Sequence, residues 1–91
     1  MIRILVADDN EEMRQAMAEY LQQQDGMKVV GQAGSGVETL RRVVETQPDV
    51  LLLDMIMPNT DGFGVLQQLQ SLSAGRRPKT IAVTALGRDD F

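Results

Sequence analysis

Val50-Leu51-Leu52-Leu53 is a run of apolar residues with no polar alternation, closed by Asp54. A strand written that way has no solvent face and must be covered on both sides. Ile2 to Ala7 has the same character: mostly apolar, rich in β-formers, ended by Asp8-Asp9. Strands of this kind, separated by helix-patterned sequence, confine a chain to a parallel α/β sheet with right-handed crossovers.

The segments between fit that plan. Met13, Ala16, Met17, Tyr20 and Leu21 recur at helical spacing, with Glu11, Glu12, Arg14, Gln15, Glu19 and Gln22 assigned to the other faces. Asp25-Gly26 is a turn signal. Met27 to Ala33 reads as a second strand, broken by Gly34-Ser35-Gly36. Ser35-Gly36-Val37-Glu38 fits a capping box opening a second helix, whose expected stripe is Val37, Leu40 and Val44 with Val43 beside it. Gln47-Pro48 stops that helix. Met55 to Gly62 reads as a loop, and Val65, Leu66, Leu69 and Leu72 mark a third helix. Ser73 to Pro78 reads as another loop, Thr80 to Ala85 as a fourth strand, and Gly87 to Phe91 as the opening of a further helix. The predicted order is βαβαβαβ in a single domain.

Composition narrows the chemistry. The 91 residues carry 13 acids and 9 bases, a formal charge of −4, which argues against direct nucleic-acid binding by this segment. Cysteine and histidine are both absent, so thiolate and imidazole sites are excluded. No apolar run approaches the roughly 18 residues of a membrane span, and the N-terminus lacks a signal-peptide pattern, so a cytoplasmic protein without membrane association is expected.

Ligands of open α/β sheets bind beyond the carboxyl ends of the strands, where the strand order reverses. In a flavodoxin-like order 2-1-3-4, the first and third strands are neighbours and Asp8, Asp9 and Asp54 converge there. Each pair of carboxylates at ~4 Å repels by about 4 kcal/mol at an effective dielectric of ~20. The acids must therefore protonate or recruit a cation. Oxygen-only ligands favour a hard divalent ion, Mg²⁺ first among them. A carboxylate beside such an ion can accept a phosphoryl group. Each feature alone has a plainer reading. Asp8-Asp9 could be a first-turn acid pair, Asp54 a strand cap and Thr84 a β-former. Their recurrence at successive strand ends favours a site.

The motifs Leu5-Val6-Ala7-Asp8-Asp9-Asn10, Asp54-Met55-Ile56-Met57-Pro58 with Asp61-Gly62, and Thr84-Ala85 resemble the receiver domain of two-component response regulators. The likeness runs the length of the chain. It implies the CheY-like, flavodoxin-like fold and a regulatory phosphoacceptor rather than an enzyme, promoting only its own phosphorylation and dephosphorylation. By the resemblance, Asp54 would take the phosphoryl group from a histidine kinase or histidine phosphotransfer protein. Asp8, Asp9, Asp54 and the Ile56 carbonyl would hold Mg²⁺. Thr84 would be the switch hydroxyl and the Ala85 amide a further donor to the phosphoryl group. Pro58 and Gly62 would shape the loop carrying Ile56. The output switched would be a transcriptional module. Within the family, Glu19-Tyr20-Leu21, Asp54-Met55-Ile56-Met57-Pro58 and Thr84-Ala85-Leu86-Gly87 are most similar to the receiver of the sporulation master regulator.

The pattern also departs from the family. Candidate strand starts near residues 2, 27, 50 and 80 imply ~130 residues for five strand–helix units, by the spacing of a βαβ unit. Residues 1–91 accommodate about four. The fifth strand with its terminal lysine is missing, and Lys28 and Lys79 are expected at the wrong ends of their strands to replace it. A fragment of a longer regulator is the expectation. An exposed Thr80–Thr84 edge could instead pair with a second copy, as a homodimer or a swapped dimer. A phosphohydrolase using Asp54 is disfavoured, because such enzymes need an acid two residues on, where Ile56 stands. The spacing of Gly31, Gly34 and Gly36, after the second strand, does not match a dinucleotide-binding fingerprint.

Overall fold

The computed structural model of the chain describes residues 1–54, 56–57, 60–72, 78 and 80–84, with the backbone alone described at 54, 56–57, 60–63, 65–66 and 80–84. The elements in chain order are β1 (Ile2–Ala7), α1 (Glu11–Gln22), β2 (Met27–Ala33), α2 (Gly36–Thr46), β3 (Val50–Asp54), β4 (Ile56–Met57), β5 (Thr60–Asp61), α3 (Gly62–Gln70) and β6 (Thr80–Thr84). β2, β1, β3 and β6 form a parallel sheet in that order. This is the expected flavodoxin-like arrangement, with β6 as the fourth predicted strand. The strand ends at Thr84; Ala85 and the expected helix over 87–91 lie outside the described residues. Sequence pattern did not anticipate β4 and β5, a short antiparallel pair within the stretch read as a loop.

Alternating side chains divide β1 between two cores. Leu5 and Ala7 pack with Ala33, Val43, Leu51, Leu53 and Leu69, and Leu40 and Leu72 close that cluster from α2 and the end of α3. Ile4 and Val6 face the other way, against Ala18 of α1, with Met17, Leu21, Met27, Val29 and Val50 around them. β1 is thus buried on both faces, as its apolar run requires. Leu5, Leu51 and Leu53 are fully buried, each worth about 1.5–3 kcal/mol of transfer free energy.

Two helices present a different face from the one expected. In α1 the sheet side is Ala18 with Met17, Leu21 and Arg14, whereas Ala16 and Tyr20 are exposed. Ala16, Met17, Tyr20 and Leu21 line a shallow apolar groove whose floor is Leu52 of β3. In α2, Val37 and Val44 are exposed at 78% and 40%, while Val43 and Thr39 are fully buried. Thr39 sits in the core because its hydroxyl donates to the Ser35 carbonyl at 2.7 Å, so no polar atom is stranded. The stripe rotates by about one residue once that hydrogen bond is available.

Helix ends and strand starts are fixed by local bonds. Ser35 caps α2, its Oγ accepting from the Glu38 amide at 3.2 Å. Glu38 reaches back to the Gly34 amide at 2.7 Å, one residue before the amide a capping box would use. Gln47 closes α2 in the left-handed region at φ 46°, and its carbonyl accepts from Arg3 Nη1 at 2.9 Å. Asp49 then grips Arg3 twice: its Oδ2 accepts from the Arg3 amide, and its own amide donates to the Arg3 carbonyl. These bonds set β3 beside β1 before the ladder begins. At the outer edge of the sheet, β2 carries an irregularity between the Val29 and Gly31 pairings, and Gln22 Oε1 accepts from the Val29 amide at 2.9 Å. A bulge and an occupied donor both blunt an edge against pairing with other chains.

The two-sided core predicts a contrast in urea unfolding. Leu51→Ala should cost about 2–5 kcal/mol. Val37→Ser should stay within about 0.5 kcal/mol of the parent, and a large loss there would return Val37 to the core.

Candidate functional site

Three strands end at the same side of the sheet. Ala7 is in register with Leu53, so Asp8 and Asp54 are the next positions along adjacent strands. Asp54 is in turn paired with Thr84 of β6. Neighbouring strands lie about 4.8 Å apart, so Asp8, Asp54 and Thr84 stand in one row across the carboxyl ends. Ile56 follows in β4, and its partner across the pair is Asp61. Ala85 and Pro58 lie outside the described residues.

Asp8 is the most closely held residue of the row. It is 5% exposed, and its amide donates to the Ala33 carbonyl at 3.0 Å, extending the β1–β2 ladder. Its Oδ1 accepts from the Asn10 amide at 3.0 Å. Asn10 caps α1, its Oδ1 accepting from the Met13 amide at 3.0 Å. The step from β1 to α1 is therefore two interlocked side-chain turns, with half-buried Asp9 between them. Glu11 and Glu12 occupy the first turn of α1, where the helix dipole favours negative charge. The sequence reading did not single out Asn10 as a cap, although an Asn just ahead of helix-patterned sequence is such a signal.

Arg14 is the residue the sequence pattern misplaced. Its guanidinium turns toward the sheet ends rather than solvent. Nη1 donates to the Asp8 carbonyl at 3.1 Å, and Nε donates to Gln32 Oε1 at 3.2 Å. Helical spacing assigned it a polar face, since a charged side chain is not expected to lie over a sheet. Lys28 pairs in register with Arg3 at the start of the strands, away from this row, as expected. Lys79 lies outside the described residues.

The donor set suits a hard divalent cation. Asp8 and Asp9 offer carboxylate oxygen only, and such ions take oxygen ligands. Among the described residues no three acidic or other ligating side chains gather in one group. Asp54 joins the pair by backbone register. No described helix is long and apolar enough to cross a membrane.

The family model described as "Response regulator receiver domain" matches residues 4–91. The chain belongs to the response regulator receiver family. The response regulator domain of CheB from Thermotoga maritima superposes with a TM-score of 0.76 at 27% identity, covering 96% of this chain and 81% of that one. The signal receiver domain of a DNA-binding response regulator from Colwellia psychrerythraea gives 0.75 at 26%, covering 99% and 73%. The receiver domain of a putative response regulator, NarL, from Mycobacterium tuberculosis shares the fold at 0.73 and 24%, covering 90% and 82%. As a receiver of two-component response regulators, the chain is a regulatory domain served by histidine kinases or phosphotransfer proteins.

The geometry of the receiver's first turn predicts a separation of effects. Asn10→Ala removes the α1 cap but leaves the Asn10 amide free to hold Asp8. Its cost in thermal or urea unfolding should be about 1 kcal/mol. A loss several times larger would mean that Asn10 supports more than the helix end.

Proposed function

We propose that Asp54 is the phosphoacceptor of this receiver, with Asp8, Asp9 and the Ile56 carbonyl as its Mg²⁺ ligands and Thr84 as the switch hydroxyl. The observation that carries the reading is the strand register, Ala7 with Leu53 and Asp54 with Thr84. It supports a row of two carboxylates and one hydroxyl at a single sheet end.

In this reading an Asp54 carboxylate oxygen attacks the phosphorus of a phosphohistidine. The P–O bond forms as the P–N bond breaks, and the imidazole departs with its proton. The product is an acyl phosphate on Asp54. A bound divalent cation supplies charge neutralisation for the transferring phosphoryl group. Asp8 is oriented by the Asn10 amide, which donates to its carboxylate. The Thr84 hydroxyl is one strand away and donates to a phosphoryl oxygen once the group is attached. The Ala85 amide, next in sequence, is a second donor. Thr84 ends β6, so its movement toward the phosphoryl group alters the outer strand and the surface an output module reads.

A transcriptional output and a location in the cytoplasm are consistent with this reading. The sporulation-type assignment is supported by its short sequence runs alone. Incubated with Mg²⁺ and a small acyl-phosphate donor, the protein should gain the mass of one phosphoryl group, and Asp54→Asn should lose that gain. Equal labelling of the variant would place the acceptor elsewhere.

A second reading concerns assembly. Among the described residues β6 is the last strand of its sheet, with β3 on one side only. Pairing of its other edge with a second copy would complete the hydrogen bonding. Sedimentation over a concentration series should then show a monomer–dimer equilibrium that a proline at Ala82 abolishes; a monomer at all concentrations contradicts it.

A further inference from the structure

We infer that Arg14 is a positioning residue for the acidic pair, fixing the Asp8–Asp9 peptide through its carbonyl, and that Gly34 is small to admit it. The inference rests on the reading of Asp8 and Asp9 as Mg²⁺ ligands and adds to it a residue from α1 and one from the β2–α2 turn.

Four observations converge on Arg14. Its main chain is anchored in the first turn of α1, its amide donating to the Asn10 carbonyl at 2.8 Å. Its side chain crosses the end of β1, donating Nη1 to the Asp8 carbonyl at 3.1 Å. It continues to β2, where Nε meets Gln32 Oε1 at 3.2 Å. A Cβ on Gly34 would stand 2.9 Å from Nη1, so a larger residue there would make the guanidinium shift. The guanidinium thus fills the space between the ends of β1 and β2, and Gly34 leaves room for it. Gly34 is itself held by its amide, which donates to Glu38 Oε1 at 2.7 Å.

The Asp8 carbonyl belongs to the peptide that leads into Asp9. Holding its oxygen fixes the plane of that peptide and with it the direction in which Asp9 leaves the strand. The Asp8 amide is tied to Ala33 and its carboxylate to Asn10. Arg14 adds a restraint on the carbonyl. A forked guanidinium is suited to this because its donors have a fixed geometry, where an ammonium would not span both acceptors. Partners that orient metal ligands without touching the metal contribute about 10–100-fold to affinity.

Charge and geometry predict opposite signs, which makes the inference testable. A cation beside two carboxylates competes with Mg²⁺, so deleting it for charge alone should tighten binding. Deleting a positioning group should weaken it. Mg²⁺ affinity is to be measured by calorimetry without any phosphoryl donor, under conditions where circular dichroism shows each variant folded. Arg14→Gln should bind Mg²⁺ about tenfold more weakly. Gly34→Ala, which keeps the charge but displaces the guanidinium, should weaken it in the same direction. Arg41→Gln removes an exposed cation of α2 that pairs with Glu38 and Glu45, and should leave affinity within about twofold. Unchanged or tighter binding in Arg14→Gln, or an unaffected Gly34→Ala, overturns the inference while leaving the metal site standing. A parent protein that binds no Mg²⁺ overturns the reading of Asp8 and Asp9 as ligands, and the inference with it.

Discussion

The pairing of β1 with β3 is the constraint on which the rest of the structure depends. Both strands carry apolar side chains on both faces, so neither can lie at a wet surface, and each needs the other as a neighbour. Leu5 with Leu51 and Ala7 with Leu53 share one core, and Ile4 and Val6 reach the other. Because side chains alternate with a period of two, a slip of one residue would exchange the cores and turn the strand faces inside out. Hydrophobic burial therefore fixes the register, and the register sets Asp8 beside Asp54. Stability and the proposed chemistry are tied to the same alignment. The grip of Asp49 on both main-chain groups of Arg3 sets that alignment at the other end of the strands.

Bringing carboxylates together costs energy in the absence of a cation. The fold meets part of that cost locally. Asn10, the α1 N-terminus and Arg14 surround the first acid pair with hydrogen-bond donors and positive charge. The Asn10 amide binds the Asp8 carboxylate, and Arg14 binds the adjoining carbonyl. These bonds hold the acid pair where the proposed cation site needs oriented groups. It is built from the turns after β1 and β2, so the second strand contributes to the site through Gln32 and Gly34 without supplying a ligand.

Much of this was legible in the sequence, and the exceptions have physical causes. The unbroken run Val50 to Leu53 fixed a central strand, and acids at the strand ends pointed to the switch point. Helix faces were less legible. Val37 and Val44 have the spacing of a buried stripe, yet Thr39 and Val43 are inside, because a hydroxyl bonded to its own helix carbonyl packs as an apolar group. Tyr20 joined the expected stripe of α1 but lies beside the groove over Leu52. Arg14 was hidden by its charge. Its long stem crosses the sheet end while its head finds acceptors that only the fold brings together. The pairing of Ile56–Met57 with Thr60–Asp61 was masked by the turn residues around it.

The central claim is that strand register gathers Asp8, Asp9 and Asp54 into one cation site. The most direct test is a Mg²⁺ titration followed by amide chemical shifts of the isotopically labelled protein. The account predicts saturable shifts concentrated at Asp8, Asp9, Asp54 and Ile56, with little change along the exposed acids of α1 and α2. Shifts spread evenly over those surface acids, or none at the strand ends, would contradict it.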